Sequence, residues 1–138
     1  MKRIILAALV GVLVSGPVWG QEQNYVCSNM KGVSLAPGDG KPKSFEDGFT
    51  GTVYFVSISN NSATVRRKGP QTFTDQATVL NRNSGEGWVS FQAVWPGVVV
   101  RLYTLFKTAG GIYLSMTEHQ TEYLIKLPRA RTYFATCR

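Results

Sequence analysis

The chain has 138 residues, with 15 Lys or Arg against 8 Asp or Glu for a net charge of +7, and 43% of it is hydrophobic. That is enough apolar material for one domain with a single core, and too much for a disordered segment. One histidine and two cysteines in the whole chain leave little from which to build a four-ligand zinc site or a His-centred catalytic constellation.

Met1 to Gly20 has the three parts of an export signal. Lys2 and Arg3 give a positive start, Ile4 to Val14 an apolar run, and Ser15-Gly16-Pro17-Val18-Trp19-Gly20 a breaker ending in a small residue. The apolar run is shorter than the roughly 20 residues needed to span a bilayer, which favours cleavage after Gly20 over a retained anchor. The expected mature protein is one β domain over residues 21–138, periplasmic or secreted and not transmembrane. Losing Lys2 and Arg3 lowers its net charge from +7 to +5. That balance fits an anionic envelope surface or simple solubility. Export, and basic residues not interleaved with aromatics, argue against nucleic acid.

A short strand is expected at Asn24 to Cys27. The Pro/Gly-rich segment Ser28 to Gly51 follows and reads as a cover or lid. Thr52 to Ser59 is rich in β-formers and ends at the tight-turn pair Asn60-Asn61. Ala63 to Lys68 is a strand closed by Gly69-Pro70. Gln71 to Leu80 puts Phe73, Ala77 and Val79 on one face, interrupted by Asp75, which is expected to reach solvent because unpaired buried acids are rare. Asn81 to Gly87 is a loop.

The strongest alternation comes next. Val89, Phe91, Ala93 and Trp95 share one face and are expected inward, and Pro96-Gly97 turns the chain. Val98, Val100, Leu102, Thr104 and Phe106 form the inward face of the following strand. Ala109-Gly110-Gly111 is a turn, followed by Ile112, Leu114 and Met116 alternating with Tyr113, Ser115 and Thr117. Glu118-His119-Gln120 reads as a solvated hairpin loop leading into Thr121, Tyr123, Ile125 and Leu127, and Thr132 to Cys137 closes the chain.

About eight strands joined by short turns, with no helical period, predict an all-β antiparallel meander. Cys27 and Cys137 are the only cysteines, and export into an oxidising compartment predicts that they pair. Their Cα atoms must then lie within roughly 7 Å, so the first and last strands are neighbours. That adjacency closes the meander into a small up-and-down barrel, lipocalin-like in general shape, with a two-sheet sandwich as the alternative.

No sequence motif carries catalysis, a metal or a cofactor. His119 lacks a Gly-x-Ser-x-Gly elbow to serve, and the carboxylates are scattered. The candidate ligand or partner surface is Asn83, Ser84 and Glu86 in the projecting loop Asn81 to Gly87, Trp88 directly after it, and Arg66 and Arg67 from the one basic run. Tyr25-Val26-Cys27, the late cysteine and Ser84-Gly85-x-Gly87 resemble small exported lysozyme inhibitors in those few residues. The expected function is non-catalytic binding of a small apolar molecule or an extracytoplasmic protein. The alternative is inhibition of an extracytoplasmic enzyme such as a cell-wall hydrolase.

Overall fold

Where apolar and polar residues alternate, a strand can bury one face and solvate the other, and antiparallel pairing follows from short turns. The computed structural model describes residues 22–36, 43–49, 51–83, 85–96, 98–121 and 128–138. Among these are nine antiparallel strands and no helix: β1 (Gln23–Ala36), β2 (Lys43–Gly48), β3 (Val53–Ile58), β4 (Ser62–Lys68), β5 (Phe73–Asn83), β6 (Trp88–Trp95), β7 (Val99–Thr108), β8 (Gly111–Thr121) and β9 (Pro128–Cys137). The expected signal segment 1–20, Ser84, Gly97, residues 122–127 of the late alternation and 37–42 of the expected cover lie outside the described residues.

The strand order is β2-β1-β3-β4-β5-β6-β7-β8-β9, and β1 also pairs with β9. Strands β1 and β3 to β9 therefore close into an eight-stranded barrel. The continuous pairing leaves no break at which two sheets of a sandwich would separate.

The start of the chain departs from expectation. β1 runs for 14 residues, not the four from Asn24 to Cys27. Its first half pairs with β3 and its second half, Lys31 to Ala36, with β2. Between them the register against β9 shifts from Ser28 to Lys31, with Asn29 at φ 56°. Asn tolerates that left-handed conformation, and a bulge there bends the strand. Much of the expected cover is thus a β-hairpin, β1 continuing into β2; its Pro/Gly content masked two strands. Gly32 is required at this bend, because any Cβ there would overlap the Thr132 carbonyl oxygen and sit 2.7 Å from the Tyr133 ring.

The barrel closes where expected. Val26 and Arg138 exchange main-chain hydrogen bonds of 3.0 and 3.1 Å. The adjacent pair Cys27–Cys137 is thus a non-hydrogen-bonded pair, the type whose Cα atoms approach more closely. They stand 4.0 Å apart and are disulfide-bonded. Both sulfurs belong to the inward face, since Cys27 and Cys137 are buried.

The interior is filled by large side chains. Tyr54, Phe91, Tyr103, Leu114 and Tyr133 are all fully buried. Val89, Phe91 and Ala93 face inward as expected, and Phe91 stacks on Tyr103 with centroids 5.3 Å apart. On β7 the expected face is the wrong one: Val99, Tyr103 and Leu105 are buried, whereas Leu102 is exposed. Both faces of β7 are apolar, and Arg101 made its own face read as solvated. The charge is inward because its partners stand on neighbouring strands.

Candidate functional site

The two ends of the barrel differ in chemistry. At the end where β1 begins and β9 finishes the interior is apolar, with Tyr25, Ile58, Ala63, Val89 and Leu105 buried. At the other end a belt of charged and aromatic side chains crosses β4 to β9, and it is here that the sequence expectations most need correcting.

Asp75 on β5 is completely buried, not solvent-facing. The carboxylate is tolerated because it accepts three side chains' worth of donors. Arg101 Nη1 donates to both its oxygens at 2.9 and 3.1 Å, Tyr103 Oη donates at 2.6 Å, and Trp95 Nε1 donates at 2.9 Å. A buried acid so paired avoids the penalty that argued against burying it alone.

Glu118 continues the belt. It lies in β8, not in a hairpin loop, and is buried. Pairing register sets Arg101 opposite Glu118 and Glu118 opposite Arg131, so three adjacent strands present plus, minus, plus on one face. Arg101 Nε donates to Glu118 at 2.5 Å and Arg131 Nη1 donates to it at 3.3 Å. Burial works against the Arg101 charge, but its hydrogen bond to Glu118 and the charges of Glu118 and Asp75 outweigh this and hold its pKa above the ordinary value. For Tyr103, burial first and then the charge and hydrogen bond of Asp75 push the phenol well above its ordinary value. His119, next to Glu118, is in the strand but exposed, its solvent-facing place unchanged.

Two aromatic positions frame the belt. The Phe73 ring lies 4.4 Å from the Arg101 guanidinium. Trp95 was expected inward with Phe91; instead it ends β6 at the barrel rim with 47% of its surface exposed. Its ring is half in solvent while its nitrogen is tied to a fully buried carboxylate. On the adjoining outer wall Val94, Val98 and Leu102 are exposed, with Val94 opposite Val100 and Leu102 opposite Gln92.

The sequence-predicted surface is split between the two ends. Asn83, Glu86 and Trp88 do meet, in the β5–β6 turn. Asn83 Oδ1 accepts from Glu86 N at 3.0 Å, Asn83 O accepts from Gly87 N at 2.9 Å, and Trp88 Nε1 donates to Glu86 at 2.9 Å. Gly87, at φ 71°, supplies the left-handed residue this turn requires. The loop is shorter than expected, since Asn81 to Asn83 belong to β5. Arg66 and Arg67 stand at the far end. Arg66 is exposed, 4.9 Å over the Phe55 ring. Arg67 is turned inward and only 8% exposed, so the basic run forms no single surface patch. Consecutive strand residues must face opposite ways.

Sequence reasoning missed Trp95, Asp75, Arg101, Glu118 and Arg131 as one unit. One signal was present: equal steps back from the Ala109-Gly110 turn place Arg101 opposite Glu118. Among the described residues no group of three or more His, Cys, Asp or Glu could hold a metal ion. No protein-family model matches the chain, and no curated protein matches it.

Proposed function

We propose that this chain is an exported, non-catalytic barrel that binds a protein partner in the cell envelope through the rim carrying Trp95. The observation that carries the reading is the way Trp95 is held. A half-exposed indole bonded to a fully buried carboxylate is an aromatic anchor with little side-chain freedom left to lose on binding. Exposed Val94, Val98 and Leu102 extend it into an apolar surface of the kind that marks interaction sites. The tyrosines and Phe91 that fill the interior favour a protein over a small apolar guest. Export rests on the pattern of residues 1–20, and the disulfide fits an oxidising compartment.

A second reading, inhibition of an extracytoplasmic hydrolase, is favoured by the side-chain hydrogen bonds that join Asn83, Glu86 and Trp88 at the opposite end. Affinity co-purification of the tagged mature protein separates the two. Trp95→Ala combined with Val98→Ser is expected to remove the partner and leave the circular dichroism spectrum unchanged, while Glu86→Ala retains the partner. The reverse pattern would place the contact at the turn and defeat the rim reading.

A further inference from the structure

We infer that Arg67 is the receiving group of an oxyanion site, for a carboxylate or phosphate group on a small ligand. Among the described side chains at this end of the barrel, every other inward charge is answered. Asp75 and Glu118 are both engaged by Arg101, and Glu118 also by Arg131. Among the described side chains, Arg67, Arg101 and Arg131 stand against Asp75 and Glu118, and Arg67 is the one cation of this set with no carboxylate partner.

Arg67 is more than nine-tenths buried, and no carboxylate among the described residues pairs with it. Its Nε is buried and has no hydrogen-bond partner among those residues. What surrounds it is aromatic: the guanidinium carbon lies 4.2 Å from the Phe49 ring centroid and 5.5 Å from that of Phe73. Phe73 in turn lies against Arg101, so the order runs Phe49, Arg67, Phe73, Arg101.

Ring faces attract the cation but accept none of its N–H hydrogen bonds well. An arginine cannot shed its charge by deprotonating, so burial leaves a cation whose Nε–H donor is unanswered among the described residues. A carboxylate or phosphate supplies the missing charge and matches the fork of donors that a guanidinium presents. The rings fix where that fork lies. This inference does not rest on the partner reading of the Trp95 rim: its groups are Arg67 of β4 and Phe49 after β2, which meet Arg101 only through the Phe73 ring.

The test is titration of the mature protein with inorganic phosphate, and separately with acetate, each against chloride at matched ionic strength. At least one of the two is expected to raise the melting temperature saturably. Arg67→Met, which keeps the stem and removes the charge, is expected to abolish the rise, and Arg66→Met to keep it. A response that is absent, or equal in Arg67→Met and the parent, overturns the proposal. Should Arg67→Met fail to fold, the parent alone decides. Its Arg67 Nε–H resonance, assigned with Arg67→Lys, is expected to move with the same saturation midpoint. A resonance that stays fixed through the titration overturns the proposal equally.

Discussion

Replacing Asp75 by Ala removes one carboxylate and strands three partners at once. Asp75 is fully buried and takes hydrogen bonds from Trp95, Arg101 and Tyr103, the shortest 2.6 Å. Deleting one member of a buried ion pair costs about 3–5 kcal/mol, because the remaining charge stays out of water without compensation. Arg101 keeps Glu118, which holds the loss toward the lower end of that range. Glu118 must then serve two arginines with no second acid beside it, which works in the other direction. For a domain of this length each kcal/mol moves the midpoint by about 4 °C, so Asp75→Ala should lower it by roughly 12–20 °C. Asp75→Asn keeps the shape and some acceptor capacity but not the charge, and should lose about 1.5–3 kcal/mol, the value of hydrogen bonds to a charged group. Urea unfolding at pH 7 followed by far-ultraviolet circular dichroism measures both. Two variants within 1 kcal/mol of the parent would show that the buried belt is not held together through Asp75.

Phe91→Ala should cost about 3–5 kcal/mol and Leu102→Ala under about 0.5, since the first is fully buried and the second faces solvent; equal losses in urea melts would mean the faces of β6 and β7 are assigned wrongly. Thiol titration of unfolded, unreduced protein should find no free sulfhydryl. Reducing the Cys27–Cys137 bond, which spans 110 residues of chain, should cost about 4–5 kcal/mol in the chain-entropy account; an unchanged midpoint after reduction would contradict closure by the bond. Because the Tyr103 phenol is raised in the folded state, the unfolded chain loses that proton first, near its ordinary value of about 10. Stability should therefore be complete below about pH 10 and fall above it by up to about 1.4 kcal/mol per pH unit, until the folded phenol also ionises. Tyr103→Phe should flatten that fall, and an identical slope in both proteins would remove Tyr103 as its source.

The barrel was legible because its signals are local or rest on a single pair. Alternation on β6 placed Phe91 correctly, the Asn60-Asn61 and Ala109-Gly110 turns fixed two hairpins, and the two cysteines named the strands that close the circle. The belt was not legible residue by residue, because each charge, taken alone, belongs outside. Asp75 became buriable only with Arg101 two strands away, and Arg101 only with Glu118 across the next hairpin. Trp95 shares the parity of Phe91 but not its depth, since β6 ends there. The β1–β2 hairpin was hidden by Gly and Pro and by the bulge at Asn29, which alternation cannot anticipate.

The central functional claim is that the rim around Trp95 contacts a protein partner, and photo-crosslinking in the producing cell tests it most directly. A photoreactive residue at Val98, exposed beside Trp95, should form one discrete protein adduct. The same residue at Thr64 of β4, two strands from β6, should form none, and adding Trp95→Ala should abolish the Val98 adduct while Asn83→Ala leaves it. No adduct at Val98, or an equal adduct at Thr64, would contradict the account.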